Sequence, residues 1–202
     1  MLDLERAKTR FQNHIAIFQD LGNIKVLDFK EPDTYEYRIR FVFEEDYCRL
    51  HISGDLGELT AVNYTNMVWN KFYKDFGHNP GYFEDKVRSH SQPLEYYDKE
   101  EAAKDLYEAL RFEDIEFDTE EFNTLEDYLK SEFLYDYNDD GIGPNGLQAL
   151  EDMFSDAWEF AYNLGKRKTG IIDLYLHAFC LAYEQLQAKA TETKPPEVLS
   201  DD

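Results

Sequence analysis

The chain has 202 residues, and its 43 acidic against 21 basic side chains give a formal net charge of −22 at pH 7. A protein this negative repels phosphate groups, so the composition excludes sequence-independent binding to nucleic acid and adsorption to an anionic membrane. The hydrophobic fraction of 43% and the aromatic fraction of 16% argue against disorder of the whole chain. They suffice for one substantial core or two small ones.

The sequence contains no recognisable targeting or membrane-spanning segment. Its longest apolar run, over residues 171–183, is interrupted by Asp173 and His177 and falls short of the roughly 18–20 residues that cross a bilayer. The first residues lack the basic-then-apolar pattern of a signal peptide. The two cysteines, Cys48 and Cys180, fit a reducing compartment better than a disulfide framework. We therefore expect a cytoplasmic protein without membrane contact.

The first third of the chain predicts one helix and a small sheet. Apolar residues recur every three or four positions over residues 2–20, which predicts an amphipathic helix that ends at Gly22. The period then becomes two, which is typical of strands with one buried face. Strands are predicted at 24–29, 35–43, 48–52 and 59–64. They form a small antiparallel sheet of three to four strands, whose apolar face needs a cover.

From about residue 66 onward the pattern is helical. Asp98 with Glu101, and Asp118 with Glu121, have the spacing of a capping box, and each pair precedes an apolar stripe of helical period. A sheet followed by helices predicts an α+β fold. The predicted organisation is one domain over 1–190, sheet-rich over 1–65 and helical over 66–190, with a disordered tail over 191–202.

Acidic residues are concentrated in the middle of the chain. Residues 101–150 carry fifteen acids and three bases, whereas residues 1–50 are nearly balanced. Acids on a helix that recur every three or four residues lie roughly 5–6 Å apart along its axis, which is comparable with the spacing of DNA phosphates. Such a face either keeps the protein soluble or competes with DNA for a basic protein. The predicted partner-binding residues are Glu113, Asp114, Glu116, Glu120, Glu121, Glu126, Asp127, Asp136, Asp139 and Asp140.

One stretch matches the first half of an EF-hand loop. Asp136, Asn138 and Asp140 provide oxygen ligands at positions 1, 3 and 5, and Gly141 stands at position 6. The second half fails, because Leu147 occupies position 12, where a bidentate glutamate is required. A solvated turn between helices is the favoured interpretation, and weak calcium binding stays an alternative. No metal or cofactor is predicted.

No residue pattern indicates an enzyme. The five histidines have no metal-ligand spacing, residues 54–57 lack the spacing of a phosphate-binding loop, and 43 carboxylates make close pairs expected by chance. We therefore predict a protein without catalytic residues. The polar face of the predicted sheet carries a small positive patch, which either binds an anion or is balanced by carboxylates of the protein itself. The patch consists of Arg38, Arg40, Arg49 and His51.

Three short segments are shared with a known group of proteins. They are ISGDLG at 52–57, NPGYF at 79–83 with Lys86, and AYEQL at 182–186. Through these segments, spread over most of residues 30–187, the chain resembles uncharacterised acidic proteins of phages, prophages and mobile elements of Gram-positive bacteria. The resemblance implies a small accessory protein with no assigned reaction, so no catalytic residue is carried over. Proteins of this kind are often inhibitors of host defence, including anti-CRISPR proteins and restriction inhibitors that mimic DNA.

Charge and resemblance together predict a phage-type anti-defence inhibitor, of the anti-CRISPR class or a related one. Its acidic helical face would mimic DNA and block the nucleic-acid-binding channel of a host nuclease complex. The expected partner is a basic nucleic-acid-binding protein in the cytoplasm of a bacterial host, either a CRISPR effector or a restriction nuclease. A second hypothesis is a non-mimic interaction module with an aromatic contact surface formed by Trp69, Phe72, Tyr73 and Phe76.

Overall fold

The structure is a computed structural model that describes residues 9–34, 36–112 and 119–192, without the side chains of 110–122. Two compact units share the chain. The first unit comprises the residues up to Leu94 together with those from Gly170 onward, and the second is Glu95–Thr169. This division does not test the prediction of a single domain over 1–190, which stays a prediction. No helix among the described residues is both long and apolar enough to cross a membrane.

The first unit is built on a six-stranded sheet in which every strand is antiparallel to its neighbours and the spatial order follows the chain. The strands are β1 (Ile15–Leu21), β2 (Ile24–Lys30), β3 (Ile39–Glu44), β4 (Arg49–Gly54), β5 (Leu59–Val62) and β6 (Val87–His90). Two short helices precede β6, and a long one completes the unit. They are α1 (Trp69–Asp75), α2 (Pro80–Glu84) and α7 (Ile171–Glu192).

One face of this sheet is apolar because alternate strand residues point to it. Ile39, Phe41 and Phe43 of β3 are fully buried. Phe179 of α7 meets Phe41 edge-to-face at a ring-centroid distance of 5.4 Å and Phe72 of α1 at 4.7 Å. Such T-shaped pairs add to the stabilisation from buried area. The predicted inward face of the strand is confirmed from Ile39 onward, and α1 and α7 provide its cover.

The predicted helix over 2–20 is wrong where the chain is described beyond residue 14, because Ile15–Leu21 forms β1. This strand pairs with β2 through a two-residue turn in which Gly22 has φ +79°, the place that glycine takes in type II′ hairpin turns. The Gln185 side chain on α7 accepts from Ala16 N at 3.0 Å and donates to His14 O at 2.8 Å. Packing against α7 therefore stabilises the strand, and Gly22 is a turn residue instead of a helix end.

The predicted sheet of three to four strands is also wrong, although the α+β class is confirmed. The predicted strands correspond to β2–β5, and the sheet gains β1 at one edge and β6 at the other. Val87–His90 forms β6 with three exposed residues, so this edge strand has no alternating apolar pattern that the sequence could reveal. The strand predicted over 35–43 begins later, at Ile39, because Tyr37 has φ +58°.

The second unit consists of short elements around a smaller core. They are β7 (Glu95–Tyr97), α3 (Lys99–Phe112), α4 (Thr119–Tyr135), β8 (Tyr137–Asn138), β9 (Gly141–Ile142), α5 (Pro144–Glu151), α6 (Trp158–Ala161) and β10 (Lys166–Lys168). β7 pairs with β10, and β8 pairs with β9, both antiparallel. The fully buried side chains include Leu129 and Phe133 of α4 and Leu150 of α5.

The cap predicted at Asp98 is confirmed. Its Oδ1 accepts from Glu100 N at 2.9 Å and from Glu101 N at 3.0 Å, which satisfies two of the free N–H groups at the start of α3. The cap predicted at Asp118 lies outside the described residues. Of the predicted tail over 191–202, the first two residues end α7, and 193–202 lie outside the description.

Candidate functional site

The second unit carries most of the negative charge. It contains 22 acidic and 7 basic residues, which gives a net charge of −15, whereas the rest of the chain has a net charge of −7. Five of its seven bases form ion pairs within the unit, namely Lys104, Lys130, Lys166, Arg167 and Lys168. These bases neutralise carboxylates of the unit itself.

Arg167 is the centre of this internal pairing. Its guanidinium donates to Asp105 Oδ1 at 2.7 Å and Oδ2 at 2.8 Å, and to Glu101 Oε2 at 2.9 Å. Gly165 N donates to Asp105 Oδ2 at 2.8 Å as well. The hydrogen bonds from Arg167 lower the pKa of Asp105, and those from Lys104 and Arg167 lower the pKa of Glu101. The network ties β10 to α3.

The outer side of α4 combines carboxylates with tyrosines. Tyr128, Glu132 and Tyr135 follow at i, i+4 and i+7, so they lie on one face of the helix, away from the buried Phe133. Tyr128 is 53% and Tyr135 87% exposed. Asp127 is exposed beside them. Glu132 and the two tyrosines were absent from the predicted set, although their positions outside the apolar stripe would have revealed them.

Three of the ten predicted partner-binding acids are exposed in the described part of the chain, namely Asp127, Asp139 and Asp140. Asp139 and Asp140 lie in the turn between β8 and β9. We use the name acidic surface for Asp127, Glu132, Asp139 and Asp140 together with Tyr128 and Tyr135. None of its four carboxylates has an ion-pair partner among the described residues.

Two other predicted acids have structural partners. Glu126 pairs with Lys130 one helical turn later. Asp136 Oδ2 accepts from Asn145 N at 2.7 Å and Gly146 N at 3.4 Å, so this carboxylate caps the first turn of α5. The structure does not describe the side chains of Glu120 and Glu121 in α4. Three more of the predicted acids, Glu113, Asp114 and Glu116, lie outside the described residues altogether.

The half-matching EF-hand loop is a hairpin with internal hydrogen bonds. Asp136 caps α5, and Asn138 Oδ1 accepts from Asp140 N at 2.8 Å. Gly141 has φ +95°, which suits the glycine that follows the turn. Within the described ranges, no group of three or more His, Cys, Asp or Glu side chains is placed to hold a metal ion. The calcium alternative therefore has no carboxylate cluster to support it in this part of the chain.

The positive patch on the sheet is balanced by the protein's own carboxylates at two of its positions. Arg40 donates from Nε to Asp28 Oδ1 at 2.6 Å and from Nη2 to Asp28 Oδ2 at 2.7 Å. Arg49 Nη1 lies 3.4 Å from Glu44 Oε2. The bidentate pair at Arg40 is the stronger one, because two guanidinium N–H groups each donate to a carboxylate oxygen. Neither arginine is left unpaired to bind an external anion.

The aromatic surface of the second hypothesis is not a surface in this fold. Phe72 and Phe76 are fully buried, and Trp69 packs partly buried against the same core. The Tyr73 hydroxyl donates to Glu184 Oε1 at 2.9 Å. The helical spacing of these residues reflects the side of α1 that covers the sheet, so the predicted contact surface is wrong.

The segments that carry the resemblance have structural roles. Gly54 has φ +143°, and a Cβ there would lie 2.0 Å from Arg38 O, so only glycine fits at the end of β4. Asn79 caps α2 by accepting from Tyr82 N at 3.1 Å. The third segment contains Gln185, which connects α7 to β1. These residues specify the fold.

Comparison of the chain with protein-family models, with curated proteins and with solved structures finds no match in any of the three. The resemblance to phage and prophage proteins therefore stays a prediction. The function has to be inferred from the charge, pairing and exposure of the residues described above.

Proposed function

We propose that the protein inhibits a basic nucleic-acid-binding protein by binding and not by catalysis, and that its second unit occupies the surface that DNA would otherwise use. The observation that carries this proposal is the division of charge within the unit. Five of the seven bases pair internally, while the four carboxylates of the acidic surface are exposed and have no basic partner within the described ranges. The negative electrostatic potential around these carboxylates attracts a positively charged channel.

The physical basis is the same as that of DNA binding. Carboxylates that replace phosphates in a basic channel release the counterions of the acidic surface and accelerate the encounter, and both effects weaken as salt rises. The exposed Tyr128 and Tyr135 support this assignment. Nucleic-acid channels hold bases with aromatic and arginine side chains, and a tyrosine ring can stack on either.

The partner class follows from the sequence resemblance. Small acidic proteins of phages and prophages are often inhibitors of host defence, so the proposed partner is a CRISPR effector or a restriction nuclease of a bacterial host. The anti-defence action itself needs no chemical step, because excluding DNA from the nuclease is enough.

A competition measurement tests the proposal. Fluorescence anisotropy of labelled duplex DNA, bound to a purified CRISPR effector or restriction nuclease, should fall as the protein is added, and less so at high salt. Neutralising the acidic surface should weaken this displacement by tenfold or more. The variant carries Asp127→Asn, Glu132→Gln, Asp139→Asn and Asp140→Asn.

The control variant removes the same amount of charge from exposed, unpaired positions of the first unit and should displace DNA as well as the unmodified protein does. It carries Asp33→Asn, Glu36→Gln, Asp46→Asn and Asp85→Asn. If the two variants displace DNA equally, net charge alone is responsible and the acidic surface is not the contact. A complex that forms without releasing DNA would also contradict the proposal.

A further inference from the structure

A polar cavity lies on the face of the sheet that points away from the core of the first unit. Its volume is about 390 Å³, and β4, β5 and β6 line it. The strand register places Thr60 of β5 between His51 of β4 and Ser89 of β6. Hydroxyl and imidazole groups therefore meet in one wall of a cavity, outside the acidic surface and independently of the proposed function.

Two of the lining side chains, His51 and Thr60, form a connected chain of polar contacts with Glu44, which lies outside the lining. Glu44 Oε2 lies 3.3 Å from His51 Nε2, and His51 Nδ1 lies 3.2 Å from Thr60 Oγ1. They come from three neighbouring strands, so the sheet fixes their spacing. A hydroxyl within reach of an imidazole, which a carboxylate orients in turn, is the arrangement that activates nucleophiles in covalent catalysis.

The contacts determine which imidazole nitrogen carries the hydrogen. An ionised carboxylate only accepts, so Glu44 fixes the hydrogen of a neutral His51 on Nε2. Nδ1 is then the acceptor for the Thr60 hydroxyl. Arg49 Nη1 lies 3.4 Å from the same Glu44 oxygen, so the carboxylate is held from a second side. The unprotonated nitrogen of His51 therefore faces the hydroxyl that would be deprotonated.

We infer that Thr60 is a nucleophile that accepts acyl groups from small esters, with His51 as its general base and Glu44 as a positioning residue. Oγ1 of Thr60 forms a bond to the ester carbonyl carbon, and its proton passes to His51 Nδ1. The bond from the carbonyl carbon to the leaving oxygen breaks, and the alkoxide takes that proton. Water then attacks the acyl-threonine, gives a proton to His51, and releases the carboxylic acid as Thr60 recovers its proton.

The cavity lining also contains a candidate hydrogen-bond donor for the developing oxyanion. Ser91 Oγ accepts from Glu58 N at 2.8 Å, which holds the serine in place and leaves its own hydrogen to be donated. His90 is not such a donor when neutral, because its Nδ1 donates to Gln92 O at 2.7 Å and its Nε2 then accepts. The Glu58 carboxylate in the same lining disfavours anionic substrates. The substrate class is therefore a neutral or cationic ester with a short acyl group.

The probe for this inference is p-nitrophenyl acetate. The unmodified full-length protein should release p-nitrophenol in a burst, and peptide mass spectrometry should find the acetyl group on Thr60. Thr60→Val keeps the branched shape but lacks the hydroxyl, so it should abolish the adduct, and Thr60→Ser should restore it. His51→Gln should lower the acylation rate by about a hundredfold. Circular dichroism establishes that each variant is folded.

The positioning role of Glu44 has its own readout. Glu44→Gln should lower kcat by about tenfold and leave KM unchanged, because the carboxylate orients His51 without touching the ester. His78→Gln is the matched control, since His78 is exposed outside the cavity, and it should leave the rate unchanged. Acetylation that persists in Thr60→Val, or hydrolysis that His78→Gln reduces as much as His51→Gln does, would overturn the inference.

Discussion

Among the described residues, 23 buried hydrophobic side chains form one cluster in the first unit, and 10 form one in the second. The net charges, compared by magnitude, have the opposite order, at −7 for the first unit and −15 for the second. Burial of apolar area contributes about 25 cal/mol per Å² and is not screened by salt, whereas ion pairs and like-charge repulsion depend on pH and ionic strength. The comparison teaches that one chain combines a unit stabilised by packing with a unit whose stability depends on how its charges are paired.

The packing side of this comparison is tested by Phe179→Ala. Phe179 is fully buried and meets rings on both the sheet and α1, including Phe43 at 5.9 Å. Loss of these contacts and the cavity left behind should lower the free energy of unfolding of the first unit by about 3–5 kcal/mol. Urea unfolding followed by hydrogen exchange would measure it. Gln187→Ala, at an exposed position of the same helix, should change little, and equal losses in the two variants would refute this account.

The pairing side is tested by Arg167→Met. The variant removes a bidentate ion pair and leaves Asp105 and Glu101 without their guanidinium partner, so the second unit should lose about 2 kcal/mol. Hydrogen exchange in β7, α3 and β10 should rise, while the sheet of the first unit stays protected. Lys99→Met removes an exposed base of the same unit that has no ion-pair partner in the described part of the chain, and its effect should stay below about 0.5 kcal/mol. A larger effect of Lys99→Met would mean that net charge decides stability.

A fall in pH should lower the stability of the second unit more than that of the first. Lys166 and Lys168 lower the pKa of Glu95, and Arg167 lowers that of Asp105. A carboxyl with a lower pKa in the folded state stabilises above its unfolded pKa of about 4, and this contribution is lost as pH falls through the folded pKa. The second unit should therefore weaken as pH falls below about 5, before the first unit does. Unfolding at stepped pH, with Arg167→Met as reference, should show a smaller loss in the variant. Identical pH profiles would contradict the assignment.

Added salt should have the smallest effect of these changes, and it should raise the stability of the second unit where the others lower stability. Raising ionic strength from 0.01 to 1 M shortens the Debye length from about 30 to 3 Å, which screens repulsion among exposed carboxylates. The second unit should gain up to about 1 kcal/mol, and the variant with a neutralised acidic surface should gain less. Parallel urea titrations in both salts measure the difference. An equal gain in protein and variant would show that the repulsion arises elsewhere.

The sequence predicts the middle of the sheet well and its edges poorly. In β3 the alternation of Ile39, Phe41 and Phe43 is unambiguous, because one face is buried along the whole strand. Around β1, Phe11, Ile15 and Phe18 fit a helical period and not the alternation of a strand, in which Ala16 is buried and Ile15 is exposed. Only pairing with β2 and contact with α7 decide between them. Such non-local contacts are absent from a pattern of neighbouring residues.

The candidate sites also include features that the sequence predicts and features that it does not. Composition is enough to predict that acids such as Asp127 and Asp139 are exposed, because no core could hold so many charges. It does not reveal that Asp136 caps a helix, since its partners follow nine and ten residues later. The contact between Glu44, His51 and Thr60 is hidden for the same reason, as strand register and not sequence spacing brings them together.

The pairing of β7 with β10 places the start and the end of the second unit side by side, so this unit is an insertion into the first. About 80 residues separate the end of β6 from the start of α7. At roughly 5–20 residues per second, a ribosome needs about 4–16 s to translate them. During this interval the strands of the sheet have been translated without the helix that covers them, and the acidic insertion is completed only at its end. The insertion thus delays closure of the core around Phe179, and it adds negative charge to the growing chain, which opposes aggregation.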